Sequence, residues 1–131
     1  MTEILQPDGW KRPSGYSNAV RANGEMIFIA GQIGWDANQE LVSNELIEQT
    51  RQALKNIVTI LSEASAEPKH LVRLTWYVTD IAEYQAQAKS IGEAYRDVIG
   101  LVYPAMSLFE VSGLVEKDAK VEIEATAVLS I

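Results

Sequence analysis

The fold is decided by a central stretch of alternating residues, Leu71-Val72-Arg73-Leu74-Thr75-Trp76-Tyr77-Val78. Every second side chain from Val72 to Val78 is apolar, and this alternation predicts a β-strand with one strongly apolar face. On either side of the strand, apolar residues recur at every third or fourth position, which is the spacing of a helix. Two helices with long apolar stripes need a sheet face on which to pack, so the pattern predicts a two-layer α+β domain.

The first helical stretch runs from about Asn44 to Ala66. We expect Asn44 to cap its N-terminus and Glu67-Pro68 to end it. The residues that share its core-facing side are Ile47, Thr50, Leu54, Ile57 and Leu61.

The second helical stretch begins near Asp80 and ends at Gly100. The Asp80 side chain is expected to cap this helix, with Glu83 reciprocating three residues later. Aromatic residues at helical spacing indicate packing against a core more often than contact with a ligand. The stripe in question consists of Tyr84, Ala88, Ile91, Tyr95 and Val98.

The remaining segments predict strands before and after the helices. Asn23-Gly24 is typical of a type I′ turn, so we expect a hairpin that joins strands at Ala19–Ala22 and Glu25–Ala30. Pro104 marks the entry to a further strand, and the residues from Val121 to Leu129 alternate again. The predicted order is therefore β-β-α-β-α-β-β, with both helices on one face of a mostly antiparallel sheet.

Composition indicates the general class of protein. The chain has 131 residues, of which 47% are hydrophobic and 22% charged, as in an ordinary globular protein with one domain over residues 1–131. No apolar stretch approaches the ~18 residues of a membrane span. Residues Met1 to Asp8 lack the basic start and apolar run of a signal peptide, so we expect a cytoplasmic protein with no membrane partner.

Charge and reactive side chains argue against several functions. There are 11 Lys and Arg against 18 Asp and Glu, a formal net charge of −7. Nucleic-acid binding normally needs a basic surface, so no nucleic-acid partner is expected. With no cysteine and a single histidine, the chain has no thiolate or multi-histidine metal site. That histidine, His70, follows Pro68 and precedes a strand, which favours a turn residue.

Several short segments carry a resemblance to a known family. They are Gly15-Tyr16-Ser17-Asn18-Ala19-Val20, Phe28-Ile29-Ala30-Gly31-Gln32-Ile33, Trp76-Tyr77-Val78-Thr79-Asp80, Tyr103-Pro104-Ala105 and Val121-Glu122-Ile123-Glu124-Ala125. In this order, and with the long first helix between them, they resemble the RidA (YjgF) family over essentially the whole chain. Asn18 and Ala30 depart from the glutamine and serine that are common in that family.

The resemblance implies both a fold and an activity. The fold is chorismate-mutase-like, in a homotrimer with sheets inside, helices outside and three clefts between neighbouring subunits. Family members hydrolyse reactive enamines and imines, such as 2-aminoacrylate and its imine tautomer, to 2-keto acids and ammonia without a metal or organic cofactor. The sheet face opposite the helices agrees with an oligomer, because Leu71, Thr75 and Tyr77 would need cover there.

The resemblance also implies a set of site residues. Glu122 matches the acid that orients the attacking water, Tyr16 reaches the cleft from its loop, and backbone groups around Gly31 and Leu108 line the pocket. Met106 stands where active members have the arginine that holds the substrate carboxylate. Methionine offers no charge, and Leu108 is larger and more apolar than usual, so we expect the pocket to suit a hydrophobic ligand or a non-acidic imine.

Two of these residues have alternative interpretations. Arg12 lies in the loop before Tyr16 and is a candidate to replace the missing cation, although loop arginines are usually solvated. Glu122 shares its strand face with Glu124, and acidic residues are common on exposed strand faces.

Three functions compete on this basis. The first is an imine or enamine deaminase with an altered substrate preference. The second is a non-catalytic trimer that binds a small, largely apolar metabolite in the same cleft. A ribonuclease ranks last, because the chain is acidic and lacks a pair of histidines.

Overall fold

The computed structural model of the chain describes residues 2–130, which form six strands, three α-helices and one short 3₁₀ turn. None of the helices in this range is long and apolar enough to span a membrane. In chain order the elements are β1 (Thr2–Leu5), β2 (Ala19–Ala22), β3 (Glu25–Gln32), α1 (Leu46–Glu63), the 3₁₀ turn (Pro68–His70), β4 (Leu71–Val78), α2 (Ile81–Ala86), α3 (Ala88–Val98), β5 (Ala105–Glu110) and β6 (Val121–Leu129).

The main sheet has four strands in the order β3-β6-β4-β5. β6 pairs antiparallel with both β3 and β4, whereas β4 and β5 run parallel. α1 and α3 pack against each other and against one face of this sheet. The predicted α+β architecture, with helices on one face of a mostly antiparallel sheet, is confirmed.

The hydrophobic core lies between the main sheet and the two long helices. Leu54, Ile57 and Leu61 of α1 are completely buried, as the apolar stripe predicts. From the sheet, Ile123 of β6 and Leu74 of β4 are equally inaccessible. Complete burial of such a side chain contributes roughly 1.5–3 kcal/mol, so this stripe holds α1 on the sheet.

The predicted hairpin at Asn23-Gly24 is wrong. β2 pairs antiparallel with β1 in a separate two-stranded sheet, while β3 pairs with β6. A type I′ turn needs positive φ at both central residues, and only Gly24 has it, at 150°. A Cβ on Gly24 would lie 2.2 Å from the carbonyl oxygen of Leu129, so glycine is required here by the close approach of the β6 backbone.

The strand β1 is an addition to the predicted order. The sequence from Thr2 to Leu5 is too short to show a clear alternation, and all four residues are exposed. β1 pairs with β2 in register from Thr2–Ala22 to Leu5–Ala19. The Arg21 guanidinium donates to the Glu3 carboxylate at 2.6 Å and adds an ion pair across the two strands.

The second helical stretch is divided into α2 and α3 at Gln87 rather than continuous. Asp80 caps α2 as predicted, because its Oδ1 accepts the backbone N–H of Glu83 at 3.1 Å. The Glu83 side chain does not reciprocate. Its carboxylate accepts from Lys120 Nζ at 3.1 Å instead, which ties α2 to the loop before β6.

The start of α1 and the register of β4 also differ from the prediction. α1 begins at Leu46 with Glu45 in the capping position, one residue later than a cap at Asn44 would place it. In β4, the register shifts between Leu71 and Arg73, and this bulge turns Leu71 into the core, where it is 3% exposed. His70 is a turn residue as predicted, since its Nδ1 accepts the backbone N–H of Glu67.

Candidate functional site

An open groove of about 1030 Å³ runs along β5, between the loop at residues 12–17 and helix α3. Four of the residues proposed from the sequence lie in its wall, namely Arg12, Tyr16, Met106 and Leu108. We call this space the β5 groove. It is the candidate functional site.

The pairing of β5 explains why Met106 and Leu108 face the groove. In the parallel ladder with β4, Met106 is the partner of Leu74 and Leu108 is the partner of Trp76. Leu74 and Trp76 belong to the buried core, and Met106 and Leu108 pack against that core from its edge. The floor of the β5 groove is therefore apolar at both positions.

A single bridge brings the loop residue Tyr16 to the same place. Ser17 and Ala105 form an isolated parallel β-bridge at the free edge of β5. The Ser17 N–H donates to the Pro104 carbonyl at 3.0 Å, and the Ser17 hydroxyl donates to the Tyr103 carbonyl. Tyr16 precedes the bridge, lines the β5 groove and remains 42% exposed.

Aromatic rings form the deep end of the β5 groove. Tyr95 of α3 stacks on Tyr103, with ring centroids 5.6 Å apart, and lies 6.3 Å from Trp76. Burial raises the pKa of Tyr95, whose hydroxyl donates to the Val102 carbonyl, and burial also raises the pKa of Tyr84. Both phenols are neutral at physiological pH, so they offer apolar surface and hydrogen bonds but no charge.

One polar atom in this wall lacks a partner. The indole Nε1 of Trp76 is buried, and no group within residues 2–130 accepts its proton. A buried donor without an acceptor costs about 1–3 kcal/mol. Because Nε1 has almost no accessible surface, this unpaired donor is a cost to the stability of the fold.

Sequence reasoning missed two cations on α3. Lys89 and Arg96 both line the β5 groove, opposite Arg12. They lie seven positions apart on one side of the helix. This spacing is present in the sequence, but the apolar stripe beside it was the stronger pattern. No aspartate or glutamate lines the groove.

Gly31 and Glu122 lie together, but outside the β5 groove. A Cβ on Gly31 would lie 2.1 Å from Oε2 of Glu122, so the glycine makes room for the carboxylate. Glu122 is the register partner of Tyr77, on the sheet face that points away from the helices. We call this the outer face. There the Tyr77 hydroxyl donates to Glu124 at 2.9 Å, a bond that raises the pKa of Tyr77.

The sheet order keeps these two groups of residues apart within one chain. β3 and β5 are opposite edges of the main sheet, about 14 Å apart at the usual ~4.8 Å per strand. Met106 also faces the helices, whereas Glu122 belongs to the outer face. A site that uses both residues requires a second copy of the chain. No group of three metal-ligating side chains occurs within the described residues 2–130.

Known proteins match this sequence along nearly its whole length. The family model described as endoribonuclease L-PSP matches residues 10–129. A RutC family protein of Pyrococcus horikoshii is 36% identical over 97% of this chain and 98% of its own length. The human 2-iminobutanoate/2-iminopropanoate deaminase is 34% identical over 86% of this chain and 79% of its own length.

Solved structures give the same result. A protein of unknown function of the conserved Rid family from Yersinia pestis has a TM-score of 0.87 and 35% identity, covering 98% of each chain. A putative endoribonuclease from Thermotoga maritima has a TM-score of 0.71 and 30% identity, covering 99% of each chain. The chain belongs to the RidA/YjgF family, which the endoribonuclease L-PSP model describes.

Proposed function

We propose that the protein hydrolyses a reactive imine or enamine to a carbonyl compound and ammonia, with a substrate preference that Met106 has altered. The observation that carries this proposal is the assembly of Tyr16, Met106 and Leu108 in one groove of a chain whose relatives include a named imine deaminase. The reaction adds water across the C=N bond and releases ammonia. It needs no electron acceptor and no cofactor.

Glu122 is the proposed catalytic residue, contributed by a neighbouring copy. A carboxylate can accept a proton from the water that attacks the imine carbon and return a proton to the departing nitrogen. The position of Gly31 beside Glu122 supports this role, because the absence of a side chain at position 31 leaves room for the carboxylate. Backbone groups near Gly31 would line the same cleft.

The assembly proposed for this site is a homotrimer. The outer face exposes large apolar side chains, with Phe28 73% and Phe109 52% accessible in the single chain. Exposed apolar area of this kind marks an interaction surface. Packing outer faces against one another would bury it and would bring Glu122 of one copy towards the β5 edge of the next.

Met106 is the reason to propose an altered preference. A bidentate contact to a charged group is worth roughly 1.5–3 kcal/mol, so an imino acid that relies on position 106 should bind one to two powers of ten more weakly here. Apolar contact with Met106 and Leu108 favours a substrate with a hydrophobic body instead.

A second candidate function is a trimer that binds a metabolite without catalysis. It is favoured by one observation, which is that the β5 groove has no carboxylate of its own. A ribonuclease has the least support, since the single histidine is occupied by its bond to the Glu67 backbone and the net charge is −7.

The deciding experiment is ammonia release from imines generated in situ. A serine dehydratase supplies 2-aminoacrylate, and an amino-acid oxidase supplies imines of leucine and phenylalanine. Wild type is expected to accelerate hydrolysis of the larger imines more than that of 2-aminoacrylate. Met106→Arg should reverse this order, and Met106→Gln, of similar size without the charge, serves as its control. No acceleration of any imine by wild type or Met106→Arg would overturn the deaminase and favour the binding protein.

A further inference from the structure

We propose that the β5 groove holds the acidic group of its ligand on α3, through Lys89 and Arg96, and that this ligand is an organic acid with a bulky apolar body. The inference deepens the proposed function, on which it rests for the reaction itself. Arg12 faces the same space from the loop before β2. The anion site would thus lie on a helix and a loop rather than at position 106 of β5.

The distribution of charge is the first support. Of the 11 Lys and Arg in this acidic chain, four form ion pairs within residues 2–130, namely Arg21, Arg51, Lys69 and Lys120. Seven have no such partner there, and three of these seven, Lys89, Arg96 and Arg12, line one groove whose lining residues within 2–130 include no aspartate or glutamate. Convergence of unpaired cations creates a positive potential, for which an anionic group is the complementary ligand.

Helix α3 presents two of these cations together. Lys89, Gly92 and Arg96 follow one another by three and four positions and so lie on one side of the helix. A Cβ on Gly92 would lie 3.4 Å from Nη1 of Arg96, so the guanidinium folds back over the glycine, in the direction of the helical turn that carries Lys89. The absence of a side chain at position 92 leaves both cations open to the same ligand.

The lining of the groove indicates the rest of the ligand. In the single chain the groove is open and occupies about 1030 Å³. Trp76, Tyr103, Met106 and Leu108 offer apolar surface along it.

Binding of stable keto acids tests this inference without requiring turnover. Isothermal titration compares 4-phenyl-2-oxobutanoate with 4-phenyl-2-butanone, in which a methyl group replaces the carboxylate, and with 2-oxobutanoate, which lacks only the ring. The keto acid with the ring is expected to bind at least tenfold more tightly than either. Inorganic phosphate is titrated as a competitor, and displacement by phosphate at equal concentration would overturn the apolar part of the proposal.

Variants locate the charge. The double variant Lys89→Gln, Arg96→Gln should bind 4-phenyl-2-oxobutanoate at least tenfold more weakly than wild type and the neutral ketone with unchanged affinity. Arg12→Gln should cause a smaller loss of affinity for the keto acid. Lys55→Gln on α1, an exposed lysine outside the groove, is the matched control and should bind as wild type. Raising the salt concentration from about 0.01 M to about 1 M shortens the screening length from ~30 Å to ~3 Å. This change should weaken the binding of 4-phenyl-2-oxobutanoate but not that of the neutral ketone. Unchanged affinity in the double variant would overturn the inference.

The two proposals fail separately. If wild type binds the aromatic keto acid through Lys89 and Arg96 but hydrolyses no imine, the anion site stands and the deaminase falls. If imines are hydrolysed at the same kcat/KM in wild type and in the double variant, the deaminase stands and the anion site falls.

Discussion

Gly31 and Glu122 are packed so closely that any side chain at position 31 would occupy the space of the Glu122 carboxylate. A Cβ at position 31 would lie 2.1 Å from Oε2 and 2.8 Å from Cγ of Glu122, both well inside van der Waals contact. Gly31 has no positive φ, so its backbone conformation does not demand glycine. The three atoms nearest to such a Cβ all belong to Glu122, so this side chain accounts for the requirement for glycine.

Gly31→Ala should therefore displace the Glu122 carboxylate while the chain still folds, because the far end of a glutamate side chain moves easily. We expect a loss of at least tenfold in kcat for imine hydrolysis, similar in direction to Glu122→Gln, with the melting temperature nearly unchanged. Glu124→Gln, on the same strand face, is the control and should retain more activity. Full activity in Gly31→Ala and Glu122→Gln would remove Glu122 from the catalytic role.

Phe28→Glu should break the proposed trimer. The ring is 73% exposed in the single chain, and a carboxylate in its place would be buried without a partner if outer faces pack together. Sedimentation is expected to show about three times the 14.5 kDa chain mass for wild type and a lower mass for the variant. Val115→Glu, at a fully exposed loop position, should keep the wild-type mass. A monomeric wild type would contradict the assembly.

Gly24→Ala should be strongly destabilising. Its φ of 150° is unfavourable for alanine, and the new Cβ would lie 2.2 Å from the Leu129 carbonyl oxygen, where backbone cannot move easily. We expect a loss of more than about 1 kcal/mol in the free energy of unfolding by urea at fixed protein concentration. Gly113→Ala, with nothing within 4 Å of its Cβ, is the control. Equal stability of the two variants would argue against the close approach of β6.

Tyr95 should make stability fall at high pH. Folding raises its pKa above the unfolded value, so the contribution is fully present below about pH 10 and is lost as the pH rises further and the unfolded phenol ionises first. Tyr95→Phe should lose about 0.5–1.5 kcal/mol at pH 7 with the bond to the Val102 carbonyl. Above pH 10 its urea midpoint should decline less steeply than that of wild type. A parallel decline in both proteins would contradict this assignment.

Local sequence patterns were sufficient to predict the main helices and strands. The stripe on α1, the alternation of β4 and β6, and the Asp80 cap all depend on residues a few positions apart, so they could be predicted and are confirmed. The family motifs added Met106, Leu108 and Tyr16 as residues of one site. All three line the β5 groove, and their role there stays a prediction.

The wrong predictions share a physical cause. In each case the local structure depends on a strand that is distant in the sequence. Asn23-Gly24 has the composition of a hairpin turn, but β2 gains its hydrogen bonds from β1 and β3 gains its own from β6. Leu71 reads as an outward residue until the bulge in β4 turns it inward. The neighbouring residues predict neither the partner strand nor the bulge.

The sequence by itself determined which segments become helices and strands, the acidic charge, and the apolar character of position 106. Only the tertiary structure decided that Lys89 and Arg96 join Arg12 around the β5 groove, and that Glu122 lies on the other side of the sheet from Met106. The reason is that side-chain periodicity is a local property, whereas strand order and helix docking are set by burial of the whole core.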